Sequence, residues 1–207
     1  RPFGFDAVTI SAYLGTDGLK TGTTSAGGCC LVTTCLRNGN RLVSVVLGGG
    51  GNSVRYGDTT RMLDYGFGRA ISLYRSEASF LVDGAAVKIG AYTYGGRNYV
   101  SLRDLAAAVS GTANAFSVGW DGAANAVTLT TGSAETAGSG AAVSDVVGAK
   151  VSATALTVNG QSLSVSCFEV GGTHYYALAE LAPALGFETS YDAPARAVLL
   201  TLDPWGS

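Results

Sequence analysis

Phe80-Leu81-Val82-Asp83-Gly84 returns 76 residues later as Leu156-Thr157-Val158-Asn159-Gly160. At the same offset Gly95-Gly96 falls on Gly171-Gly172, Tyr99 on Tyr175, Leu102 on Leu178, and Leu105-Ala106 on Leu181-Ala182. The offset then drops to 71, where Trp120-Asp121 meets Tyr191-Asp192, and Val127 and Leu129 meet Val198 and Leu200. Five extra residues in the first copy account for the change. Self-similarity at a fixed period marks a duplicated structural module.

Each copy spells out the same elements. Asp83-Gly84 and Asn159-Gly160, between alternating apolar residues, are two-residue hairpin turns, because Asp, Asn and Gly tolerate positive φ. A second turn follows at each Gly-Gly pair. Ser101 stands three residues before Asp104 as a helix cap, and Leu102, Leu105, Ala106 and Val109 form an apolar stripe that stops at Gly111. The second copy has Glu180 in its first turn and Gly186 as its stop. An aromatic-Asp turn then leads to a last alternating strand, Ala126 to Thr130 and Ala197 to Thr201. A small sheet packed on one helix is the expected unit. The copies occupy 79–131 and 151–204, and 132–150, rich in Gly, Ser and Ala, reads as a linker. The remaining segment, 1–78, has a glycine-rich front, strands near 28–36 and 41–47 joined by an Asn38-Gly39-Asn40 turn, and a helical pattern from Ser53 to Tyr65.

The totals exclude several functions. With 47% apolar and 14% charged residues and a net charge of −2, the 207-residue chain builds packed cores and has no basic field to attract nucleic acid. No apolar run reaches the roughly 18 to 20 residues of a membrane helix, and Arg1 opens no signal-peptide pattern. Cys29, Cys30, Cys35 and Cys167 lack metal-ligand spacing and read as buried thiols, so neither a metal site nor a cofactor is expected.

The chemistry-bearing stretch is Lys20-Thr21-Gly22 followed by Thr23 and Thr24. Asp17-Gly18-Leu19 precedes it; Ala26-Gly27-Gly28 and a strand, Arg37-Asn38-Gly39, Arg41 to Gly48, and Asp64-Tyr65-Gly66-Phe67 follow in order. This series resembles the last strands and final helix of the serine-type D-alanyl-D-alanine carboxypeptidases, the low-molecular-mass penicillin-binding proteins. Residues 1–14 depart from that family's run. The resemblance implies that 1–78 is the C-terminal segment of a catalytic domain. It gives Lys20 an electrostatic role at the cleft wall, Thr23 an oxyanion-hole N–H, and Thr21, Gly22 and Thr24 contacts to substrate. It further implies a peptidoglycan stem peptide or cell wall as partner and an extracytoplasmic location. The two copies, through Asn/Asp-Gly, Tyr99 to Ala106 and Trp120-Asp121, resemble the copper amine oxidase N-terminal-like domain of Gram-positive wall-associated proteins. No copper-ligand cluster accompanies them. The fold class is therefore α+β: a partial penicillin-binding/β-lactamase-like sheet with a C-terminal helix, then two tandem α+β modules.

The family's nucleophile and base come from Ser-x-x-Lys, with a further Ser-x-Asn. No serine lies three residues before Lys20, Lys88 or Lys150, and no asparagine follows a serine or tyrosine by two. Without the serine no acyl-enzyme forms, so this chain alone is expected to be inactive. A longer parent enzyme, a degenerate homologue and a second chain completing the site all fit. A sheet lacking the nucleophile-bearing helices exposes an apolar face, which favours self-association or local disorder near residues 1–75. His174 reads as a strand or turn residue, Trp120 and Tyr191 as core or turn-packing aromatics rather than sugar platforms, and Asp58, Arg61 and Asp64 as a solvated helix face.

Overall fold

The computed structural model describes residues 16–202 apart from 136 and 141. The fold is mixed α+β, as the sequence implies, in two compact units that divide at Ser72/Leu73.

In the first unit Thr16–Thr24 (β1), Gly28–Arg37 (β2) and Asn40–Gly49 (β3) form an antiparallel sheet in that order, followed by helix α1, Asn52–Phe67. The β2–β3 turn places Asn38 at φ 47° and Gly39 at φ 76°, the conformation that makes Asn-Gly a hairpin signal. Period-two alternation then sorts the faces. Leu31, Thr33 and Cys35 of β2 and Ser44 and Val46 of β3 are buried on the side that meets α1, whose Arg55, Thr59 and Leu63 face them at four-residue spacing. The opposite face leaves Val32, Val43, Val45 and Leu47 between 40% and 74% exposed. That uncovered apolar face is the one expected of a sheet without its second helical layer. The expected solvated helix face is present too: Arg61 pairs with Asp58 at 3.0 Å, and Asp64 with Arg37 at 3.1 Å, all at the surface.

The first copy runs Ile71–Arg75 (β4), whose first two residues precede the division, then, in the second unit, Ser79–Val82 (β5), Ala85–Val87 (β6), Ala91–Tyr94 (β7), Arg97–Ser101 (β8), Leu102–Ala108 (α2), Phe116–Asp121 (β9) and Ala126–Thr131 (β10). The second runs Val146–Val151 (β11), Ala155–Val158 (β12), Gln161–Leu163 (β13), Cys167–Val170 (β14), Thr173–Ala177 (β15), Leu178–Leu181 (α3) with a 3-10 turn at Ala182–Leu185, Phe187–Asp192 (β16) and Ala197–Leu202 (β17). Helix α2 begins at the expected cap, where the Ser101 side chain accepts from the Asp104 N–H at 3.2 Å. The second helix stops at Gly186, φ 72°.

The copies interlock. β4, β7 and β8 close with β15, β14 and β11 into a six-stranded barrel, with β8 antiparallel to β15. The β5–β6 hairpin of the first copy pairs in parallel with β17 of the second, and β12–β13 of the second pairs in parallel with β10 of the first. Both four-stranded sheets are therefore half one copy and half the other. The reason is backbone pairing: a hairpin with strands of three or four residues is not stable alone and must extend another sheet. Alternation along the sequence reports faces, not partners, so this exchange has no local signal. Strand β11 starts at Val146, inside the stretch 132–150 that reads as a linker.

The hairpin-turn residues lock the exchange. Asp83, φ 46°, donates its N–H to Leu200 O and accepts Leu202 N–H on its carboxylate at 3.0 Å. Asn159, φ 50°, donates its N–H to Leu129 O, accepts Thr131 N–H at 3.1 Å and donates to Thr131 Oγ1 at 2.8 Å. One core then serves both copies: Phe80, Leu105, Phe116, Leu129, Leu156, Leu181 and Leu200 are buried together. A second set of aromatics packs within the barrel strands, with Tyr92 edge-on to Tyr175 at 4.9 Å and Tyr99 against Phe168 at 4.8 Å.

Trp120 and Tyr191 are not core residues, which leaves only the turn-packing half of their reading. Phe116 is fully buried at the start of β9, but exposure rises along the strand to 56% at Trp120, and Tyr191 at the equivalent place on β16 is 58% exposed. Both stand on the core side of their strands but past the end of the packed layer.

Because each sheet needs both copies, residues 73–131 and 146–202 as separate peptides are expected to show coil-like circular dichroism and to regain strand signal when mixed. Asn159→Ala is expected to lower stability by about 1–2 kcal/mol, since it loses two side-chain hydrogen bonds and the residue type that tolerates positive φ; urea denaturation checks this.

Candidate functional site

Strand β1 is the outer strand of its sheet, paired among the described residues only to β2. Lys20 lies opposite Val32, Thr21 opposite Leu31, Gly22 opposite Cys30, Thr23 opposite Cys29 and Thr24 opposite Gly28. All five are exposed. Directly paired residues share a face, so Lys20 and Gly22 stand on the uncovered apolar side with Val32 and Val45, while Thr21 and Thr23 stand on the α1 side. The expected substrate contacts Thr21 and Thr24 thus emerge on opposite faces. Thr24 also has a local duty, accepting the Gly27 N–H at 2.8 Å in the β1–β2 turn. A Cβ built on Gly22 would meet no atom within 4 Å, so nothing in the protein requires glycine there and the strand lies open to an approaching backbone.

Two anchors hold this strand. The Arg55 guanidinium, 6% exposed in the first turn of α1, donates through Nη1 toward Gly22 O at 3.3 Å, Thr23 Oγ1 at 3.2 Å and Cys30 O at 3.2 Å. It bridges β1 and β2 at the Lys-Thr-Gly segment. The sequence reading missed Arg55; its signal was an arginine at the head of the Arg55-Thr59-Leu63 stripe, a polar head on a face that must be buried. At the other end, Asp17 accepts Thr34 Oγ1 at 2.6 Å and pairs with Arg41, tying β1 across β2 to β3. The Thr34 hydrogen bond, followed by Arg41, holds the Asp17 carboxyl below the usual carboxylate range.

The remaining candidates stand apart. No disulfide joins the four cysteines; Cys35 and Cys167 are buried as expected, whereas Cys29 and Cys30 are only half-buried beside β1. Burial pushes the Cys167 thiol up to about 11, which leaves it unreactive at neutral pH. His174 sits in β15 with Nε2 3.0 Å from Thr154 Oγ1, the strand position its sequence implied. Among the described residues no group of His, Cys, Asp and Glu could hold a metal ion, and no helix is long and apolar enough to cross a membrane.

Residues 6–51, which end just before α1, match the family model for D-alanyl-D-alanine carboxypeptidase. That short stretch is carboxypeptidase-like. A 57-residue stretch is 40% identical to the D-alanyl-D-alanine carboxypeptidase DacC of Escherichia coli (strain K12), covering 28% of this chain and 14% of that protein. The likeness therefore spans about one-seventh of that relative's length. The family match begins at residue 6, so it includes most of 1–14, which the sequence reading had set apart as a departure; residues 1–15 lie outside the described structure. No solved structure matches the chain.

Arg55→Met keeps bulk but removes the donors to Gly22 O and Cys30 O. It is expected to cost about 1–3 kcal/mol and to raise amide exchange at Gly22 and Thr23 more than in β3; hydrogen-exchange NMR reads both. The Asp17 tie is complete at neutral pH and lost as pH falls through its depressed folded value, because its unfolded carboxyl binds protons more readily. The β1 amides are expected to lose protection below about pH 4, and Asp17→Asn to make that dependence flatter.

Proposed function

We propose that the first unit is the substrate-strand wall of a serine-type D-alanyl-D-alanine carboxypeptidase site acting on peptidoglycan stem peptides, and that this chain holds the wall without the nucleophile. The observation that carries the reading is the exposed edge strand with Lys20, Thr21 and Gly22 in open surface, pinned from behind by buried Arg55. An extended peptide can add to such an edge through main-chain hydrogen bonds, with Gly22 allowing close approach. The Lys20 ammonium attracts a terminal carboxylate and tunes proton transfer; the Thr24 hydroxyl on the same face offers a further donor, and Thr21 reaches a substrate only from the α1 face. The Thr23 N–H serves as one oxyanion donor, a group worth about 3 kcal/mol in such hydrolases. A working site would need its serine from a longer parent enzyme or from another chain, and a degenerate homologue would lack it altogether. The apolar face of Val32, Val43, Val45 and Leu47 would receive those elements, and in their absence it favours self-association.

The interlocked second unit favours a further reading for residues 73–202. In this reading the two copies are copper amine oxidase N-terminal-like modules that do no chemistry and hold the protein at the cell wall of a Gram-positive-type bacterium. A labelled β-lactam incubated with the full chain is expected to leave no covalent adduct, and an adduct on any serine would contradict the missing nucleophile. Purified sacculi are expected to retain the chain, and a version lacking 80–202 is expected to stay in the supernatant; equal retention of both would move wall binding to the first unit.

A further inference from the structure

The two module helices carry carboxylates at matched positions and use them differently. Glu180 of α3 reaches the segment before β14, accepting the Ser166 N–H at 2.6 Å and the Ser166 hydroxyl at 3.1 Å, with Arg97 as its counter-ion. The Ser166 N–H, first among these partners, holds the Glu180 carboxyl below the usual carboxylate range. At the equivalent places the first copy has Asp104, one methylene shorter, and Gly90, which has no hydroxyl. Asp104 turns instead to the stretch between the copies, where its Oδ1 accepts the Ser139 N–H at 2.7 Å and the Ser139 hydroxyl at 2.8 Å. Ser139 thus stands in for the serine that the first copy lacks.

That replacement leaves a gap. Between α2, the segment before β7 and the chain at Gly138 and Val143 lies an open cleft of about 720 Å³, within the size range of small-molecule sites. Three of its polar groups have no partner among the described residues: the half-buried Gly90 N–H, whose counterpart at Ser166 is held by Glu180, the exposed Lys88 ammonium, and Asp104 Oδ2. Arg75 on the rim is already engaged, donating to Val143 O at 2.7 Å and pairing with Asp145 at 3.1 Å. The second copy has Ser164 in place of Lys88, so the ammonium has no counterpart there.

We propose that this cleft binds a small zwitterionic α-amino acid, its carboxylate received by the Gly90 N–H and the Lys88 ammonium and its ammonium by Asp104. The ligand carboxylate takes the place that Glu180 fills in the second copy, which is the chain's own precedent for that contact. Charge decides between ligand classes. A plain carboxylate would meet Lys88 but stand beside Asp104, a plain amine would do the reverse, and a molecule carrying both ions satisfies both groups. Ile89, Ala91 and Ala107 offer apolar contact to a short aliphatic side chain. The inference goes beyond the wall-module reading and does not depend on it.

The test is a 15N NMR titration of the full chain with alanine, and separately with N-acetylalanine, which lacks the ammonium, and alaninamide, which lacks the carboxylate. Alanine is expected to bind with a dissociation constant of about 1 mM and to shift the amides of Gly90, Ala91 and Ser139. Each blocked compound should bind about tenfold more weakly, as should alanine to the Lys88→Ala chain, whose substitution is at an exposed position. Gly90→Ser restores the residue type of the second copy at a backbone φ open to any residue, so it is expected to fold like the parent and to lose binding as its side chain occupies the gap. Alanine binding with these losses supports the cleft. Absence of shifts at Gly90 and Ala91, equal affinity for the three compounds, or either variant binding alanine like the parent overturns it.

Discussion

A short hairpin cannot leave its backbone edge unpaired inside a packed core, and residues 73–202 meet that constraint by lending each copy's hairpin to the other's last strand. β5 completes β17 and β12 completes β10, with Asp83 and Asn159 as matched clasps. Every other feature of the second unit follows. The β8–β15 pairing closes the barrel, the shared core ties Leu129 to Leu156 and Leu200 to Phe80, and neither copy holds a core of its own. The framework accommodates different side chains at equivalent positions: Trp120, His174 and Tyr176 stand where the other copy has Tyr191, Asn98 and Val100.

The first unit uses the same economy of pairing in the opposite sense. Here, among the described residues, an edge is left open. β1 is secured along one side by β2, from behind by Arg55 and at its start by Asp17, and its other side presents Lys20 through Thr24. Three buried hydroxyls at the α1 interface, Thr33, Ser44 and Thr59, lack partners, and the far face is bare apolar surface. Such a unit holds its outer strand at several points and, among the described residues, leaves one apolar sheet face exposed.

Much of this was legible in the residues. The 76 and 71 offsets reproduce element by element, from β5 against β12 to β10 against β17, because turn chemistry at Asp83-Gly84, Gly95-Gly96 and their copies is local. The Ser101 cap and the Asn38-Gly39 hairpin are local as well. What escaped was non-local: which strand completes which sheet, that Val146 opens a barrel strand, and that Trp120 lies past the packed layer. Arg55 escaped for a related reason, since an arginine on a helix reads as solvated until the strand it reaches is known. Lys20 to Thr24 were visible as a motif, and the structure adds that they share one exposed edge strand but divide between its two faces.

Under the proposed function β1 is a substrate strand without an attacking group. A 15N NMR titration of the full chain with an acyl-D-alanyl-D-alanine peptide, while following free D-alanine, tests this. Shifts are expected at the amides of Lys20 to Thr24, weakened by Arg55→Met, with no release of D-alanine. Steady release of D-alanine, or shifts that spare β1 altogether, would contradict it.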